Sequence, residues 1–247
     1  MSPETPLILE TGAAALLFAA VFAFGGRVHP FRSLVRDRRT VISFGAGMSV
    51  AYVFVHLMPE LHGVRSAFAE SMSTVVRYEG MAIYFVALAG FLLYYGLDHL
   101  RARAGETGEG QEDGAAFRRH VGGFAVYVGL IAYLLVRSLE ETKASTAEYA
   151  VAIAFHFLAV DHGLRSEDGV AYDRFGRWAL AAMSLAGWGA GLLLPLPQAV
   201  VALLVAAVSG AVIVNTCIAE LPREKDGRFA PFTIGALLYG LLLLPLG

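Results

Sequence analysis

Apolar stretches of roughly span length recur along the chain at about 6–26, 41–60, 80–99, 121–139, 148–164, 177–194, 197–220 and 229–246, each set off by polar loops. A helix rises about 1.5 Å per residue, so roughly 20 apolar residues cross the ~30 Å hydrocarbon core of a bilayer. The pattern therefore predicts an all-α, polytopic membrane protein with eight transmembrane helices. Lipid offers no partner to a backbone N–H or C=O, so each crossing has to satisfy its own hydrogen bonds as a helix.

The basic residues fix an expected orientation. Arg27, Arg32, Arg36, Arg38, Arg39, Arg101, Arg103, Arg118, Arg119, Arg165, Arg174, Arg177, Arg223, Lys225 and Arg228 fall on alternate loops, and they are 15 of the 19 Lys and Arg. Only Arg65, Arg77, Arg137 and Lys143 fall on the others. Basic loops stay cytoplasmic, which predicts a multi-pass plasma-membrane protein with both termini outside. Eight crossings keep this phasing, whereas an odd number would destroy it.

Composition agrees: 57% of residues are hydrophobic and 16% charged, too apolar for an ordinary soluble domain. A net charge of −2 argues against nucleic acid as a partner and leaves the lipid bilayer as the expected one. The single cysteine, Cys217, lies in an apolar stretch and cannot form an intrachain disulfide. Glu4 and Glu10 precede or enter the first apolar run and no basic residue comes before Arg27, so this run reads as a span that stays and not as a cleaved signal.

The chain reads as a single membrane domain, 1–247. The stretch 101–119 contains GETGEGQEDG, too rich in glycine and acid to bury a core, and is expected to be a mobile cytoplasmic loop. The stretch from Leu61 to Glu79 has room for a short surface helix. Pro195 and Pro197 predict a tight turn, and Gly187, Gly189 and Gly191 a close helix-packing face. A weak repeat is also present. Val55-His56-Leu57-Met58-Pro59-Glu60 closes the second span much as Ala219-Glu220-Leu221-Pro222 closes the seventh, and GFLLYYG from Gly90 in the third resembles GALLYG from Gly235 in the eighth. With two spans between the copies they enter the membrane from opposite sides. The expected architecture is a 3+2+3 inverted repeat: repeat A about 6–99, central helices about 121–164, repeat B about 177–246. Proline-interrupted spans at matching positions of such halves point to a transport site.

Four residues are candidate metal ligands: His56, Glu60, His156 and Glu220. His56 and Glu60 are one helical turn apart, and Pro59, which has no N–H, frees the carbonyl of Val55 beside them. The alternative is that both hydrate among lipid headgroups. His156 lies about 12 Å into the fifth span, where an ionisable side chain is either functional or a neutral imidazole bonded to a neighbour. Asp161 and His162 point some 120–140° away from it at roughly 100° per residue, and Asp161 is placed to pair with Arg165 one turn on. Glu220, with Asn215 and Thr216 before it, gives the seventh span a polar stripe; the alternative for Glu220 is an interfacial carboxylate near Arg223. The fourth span, Val121 to Val136, has no His, Asp, Glu, Asn, Gln or Cys and offers only the hydroxyls of Tyr127 and Tyr133. Tyrosine is a poor zinc ligand.

Phe44-Gly45-Ala46-Gly47 leading to His56-Leu57-Met58-Pro59-Glu60, Gly90-Phe91-Leu92-Leu93 and Ala219-Glu220-Leu221-Pro222 together resemble the Zrt-/Irt-like (ZIP) family of divalent metal transporters. The resemblance implies a helical transporter fold with His56 and Glu220 at positions comparable to the family's pathway residues. It also implies metal coordination between the fourth and fifth spans, through a histidine followed by an acid one turn later. There this chain departs from the family: its fourth span has no such residues, and Val160 follows His156 by one turn. The leading expectation is a transporter, not an enzyme, that carries a divalent cation such as zinc, iron or manganese as substrate through an incomplete central site, or another small solute through a remodelled one. No resident cofactor is expected, and a homodimer is a candidate assembly. One alternative is a ZIP-like protein that does not transport and serves as a partner, sensor or scaffold. Another is an intramembrane zinc hydrolase with His56, His120, His156, Asp161 and His162 gathered around the metal.

Overall fold

The computed structural model describes residues 4–27, 38–71, 79–106, 114–137, 146–216 and 228–244. Every regular element among them is helical, as expected for an all-α chain. In order they are α1 (Glu4–Phe24) with a 3₁₀ turn (Gly25–Arg27), α2 (Arg38–Tyr52), a π turn (Val53–Leu57), α3 (Met58–Ser71), α4 (Glu79–Glu106), α5 (Gly114–Arg137), α6 (Thr146–Ala171), a second π turn (Tyr172–Gly176), α7 (Arg177–Leu193), α8 (Gln198–Asn215) and α9 (Phe229–Leu243).

Five stretches are long and apolar enough to cross a membrane: Leu7–Phe24, Ser43–Arg65, Gly80–Leu97, Phe117–Arg137 and Gln198–Asn215. They make this a multi-pass membrane protein. Helix α9 is apolar but 15 residues long, and α7 has 17. Helix α6 is long enough, but Glu148, His156, Asp161, His162 and Arg165 dilute its apolar character.

Two expected boundaries move. Helix α4 continues to Glu106 and α5 begins at Gly114, so helix occupies much of the stretch expected to be loop. Alanine and arginine at 101–104 are strong helix formers, and they prolong a helix already nucleated in the span. Beyond the second span the helix likewise runs through α3 to Ser71 in place of a separate surface helix.

Helix α1 packs against both α6 and α7, and α7 against α5, so these four form one bundle. Two tight pairs flank it, α2 with α9 and α4 with α8; α2 reaches the bundle through α6, and α8 reaches it through α5. Lipid tails are as apolar as leucine, so close van der Waals packing rather than water exclusion holds such helices together. The glycines show where. A Cβ on Gly47 would overlap the backbone of Phe232, and one on Gly235 that of Phe44. In the other pair a Cβ on Gly90 would overlap Ala207, and one on Gly210 would overlap Ala87. Gly187 meets the backbone of Gly129, and Gly191 lies against Tyr133 and Val136, whereas Gly189 has nothing within 4 Å. Positions 187 and 191 share a face at helical spacing and 189 does not. Inside the bundle Phe18 and Phe22 pack on Phe157 at ring-centroid distances of 5.2 and 5.0 Å. The expected tight turn is present at 194–197, where Tyr133 on α5 donates a 2.9 Å hydrogen bond to the Leu194 carbonyl.

Candidate functional site

Pro59 shapes the first candidate position. Its ring would collide with the carbonyl four residues back in a regular helix, and the wider turn Val53–Leu57 just before it relieves that crowding. Across it the Met58 N–H donates to the Val53 carbonyl, five residues back. His56 lies within this turn. Its Nε2 is 3.8 Å from Glu60 Oε2, and the two side chains are 21% and 15% exposed. The imidazole stacks on Tyr52 at 5.2 Å, and Tyr149 at the start of α6 meets Tyr52 edge-on at 6.3 Å. The expected one-turn pairing of His56 and Glu60 is therefore present, walled by tyrosines from two helices.

His156 is 2% exposed. Its Nε2 and the Tyr127 hydroxyl on α5 share a 2.7 Å hydrogen bond, and its ring packs at 5.9 Å from Phe157. A tyrosine of the ligand-poor fourth span thus engages the one buried histidine of the fifth. Tyr94 on α4 lies 5.8 Å from Tyr127, ring to ring, and donates a 2.7 Å hydrogen bond to Asn215 Oδ1 at the end of α8. Phe124 packs edge-on against Tyr94, Tyr127 and His120. Tyr94, Leu97, His120, Gly123 and Phe124 line a cavity of about 10 Å³, room for about one water. Thr216 is buried and its hydroxyl has no hydrogen-bond partner among the described residues.

The pairing expected for Asp161 is also present. Arg165 donates to both carboxylate oxygens at 2.9 and 3.1 Å, and Tyr172 donates to Oδ1 at 2.7 Å. Glu220 lies outside the described residues. Among the described residues no group of three or more His, Cys, Asp or Glu is placed to hold a metal ion, so His56, His120, His156, Asp161 and His162 do not converge as the hydrolase alternative requires.

Sequence reading missed the Tyr127–His156 and Tyr94–Asn215 bonds. The signal available was the presence of Tyr127 and Tyr133 alone in an otherwise apolar span, because a buried phenol requires a partner. No family model, curated protein or solved structure matches this chain.

Proposed function

We propose that the chain is an inverted-repeat membrane transporter, similar in build to the ZIP carriers, that moves a small polar solute through a remodelled central site. The observation that carries this reading is the matching of the two glycine seams. In a 3+2+3 repeat the second span exchanges with the seventh and the third with the eighth, so the α2–α9 contact maps onto α8–α4. Both contacts are backbone-close, with one glycine from each helix. Gly90 and Gly235 begin the two similar motifs, and Gly47 precedes His56 by nine residues as Gly210 precedes Glu220 by ten. Unrelated helices have no reason to place their closest approaches at matching positions. Binding sites in such folds lie near mid-membrane between the halves, and the position of His156 about 12 Å along its expected span by helical rise supports that depth for its contact with Tyr127.

The chemistry supports a polar solute more than a bare divalent ion. An ion crossing the bilayer exchanges its hydration shell for several ligands, and among the described residues no group of three or more His, Cys, Asp or Glu is placed to supply them. The arginine asymmetry supports eight crossings with both termini on the exterior of the plasma membrane.

Flux into proteoliposomes tests the reading. Zinc, iron and manganese are each expected to give flux no greater than in protein-free liposomes, while small polar solutes screened by counterflow give at least one saturable substrate, reduced in Tyr127→Phe and His156→Ala. Robust metal flux abolished by His156→Ala would restore the metal version. The enclosure of His156 by aromatic rings favours a second reading, a non-transporting partner, sensor or scaffold. It is supported if no solute moves through correctly folded protein.

A further inference from the structure

We propose that Asp161, Arg165 and Tyr172 form a charged latch that locks the end of α1 onto the turn between α6 and α7 and keeps that end of the bundle shut. The proposal goes beyond solute transport and holds whether or not the chain moves one. Helix α1 touches both α6 and α7, and those two helices are joined through a sharp reversal at Gly169, whose φ is 47° and ψ −116°. Asp161 and Arg165 precede the reversal; Tyr172, Asp173 and Arg177 follow it.

The latch crosses this reversal twice. Tyr172 Oη donates to Asp161 Oδ1 at 2.7 Å, and Arg165, bound to both oxygens of Asp161, also pairs with Asp173. Asp161 is 2% exposed and Tyr172 is fully buried. The Arg165 guanidinium lies 5.3 Å from the centre of the Tyr172 ring.

The chain leaving α1 rests directly on this cluster. A Cβ on Gly25 would lie 2.5 Å from Asp161 Oδ2, and one on Gly26 would lie 2.6 Å from Arg165 Cζ. A side chain at either position would push the ion-paired groups aside. Arg177 adds a 3.2 Å hydrogen bond to the Ala23 carbonyl in the last turn of α1. The exposed carbonyls there form the negative end of the helix dipole, which two guanidiniums favour. At its other end α1 is held by separate hydrogen bonds, Trp188 Nε1 to Thr11 Oγ1 and Thr146 Oγ1 to Glu10 Oε2, both 3.1 Å. The two grips are independent, so the charged one can release alone. Arg165 is 20% exposed and also pairs with the exposed Asp173, so without Asp161 it would turn toward Asp173 and water and leave Gly26 in doing so.

Hydrogen exchange on the full-length protein in nanodiscs, read along α1, tests the latch. Asp161→Asn is expected to speed exchange at least tenfold over 21–27 and leave 11–17 unchanged. An even acceleration along α1, or none, would overturn the proposal. Tyr172→Phe, which keeps the ion pair, is the milder variant should Asp161→Asn fail to fold. It is expected to give a smaller acceleration confined to 21–27, and no change there overturns the latch. Gly25→Ala should mimic Asp161→Asn on its own but add little to Asp161→Ala, because the carboxylate it collides with is then gone. Fully additive effects in that cycle would equally overturn it.

Discussion

Tyr127 and His156, from neighbouring helices, share a 2.7 Å hydrogen bond inside the bundle and leave the imidazole 2% exposed. Removing the phenol leaves a buried ring nitrogen without that partner, at a cost of about 1–3 kcal/mol. Tyr127→Phe is therefore expected to lower the unfolding midpoint in detergent, and His156→Phe combined with it to recover part of the loss. A midpoint unchanged in Tyr127→Phe would mean that the bond contributes nothing.

The glycine seams predict a sharp contrast. Alanine at Gly47, Gly90, Gly210 or Gly235 forces two backbones apart, and overpacking of this kind costs about 1–3 kcal/mol. Alanine at Gly96 or Gly189 meets nothing within 4 Å and should gain up to about 1 kcal/mol of helix propensity. Thermal unfolding of the six variants separates the groups, and equal shifts would contradict the seams.

Gly169 is the one described residue with a positive φ among the glycines, at 47°. A side chain is strained there, so Gly169→Ala is expected to destabilise by more than about 1 kcal/mol. Gly163 has nothing within 4 Å of its Cβ position and lies in regular helix, so Gly163→Ala, expected to gain up to about 1 kcal/mol of helix propensity, serves as the control. Stability that falls equally in both would place the effect in α6 as a whole and not in the reversal.

The His56–Glu60 pair at 3.8 Å offers two donors, short of the four that a structural zinc site uses. Titration of the purified protein with zinc is expected to show weak binding that His56→Ala or Glu60→Gln diminishes and His156→Ala leaves unchanged. Tight binding lost on replacing His156 would relocate the site to the bundle interior.

Local features were legible wherever one helix sufficed to define them. The all-helical character and five of the spans, the one-turn pairings of His56 with Glu60 and of Asp161 with Arg165, and the turn at Pro195–Pro197 each follow from spacing or backbone chemistry within a few residues. Contacts between helices were not. Tyr94 and Asn215 are 121 positions apart, and Thr11 and Trp188 are 177 apart, so no periodicity links them. The glycine triplet marks the boundary between the two cases: its composition announced a close face, but only helix phase distinguishes Gly187 and Gly191 from Gly189. Glu220 lies outside the described residues, so its part in a site rests on the motif alone.

The wide turn ahead of Pro59 also acts as a phase shifter. One surplus residue there swings everything beyond it by roughly 100° relative to an unbroken α-helix. The heading of Glu60 toward the tyrosines is thus encoded in the residue count from 53 to 57 as much as in its own identity. Rewinding those five residues as regular α-helix would keep every side chain yet turn this carboxylate toward a different neighbour.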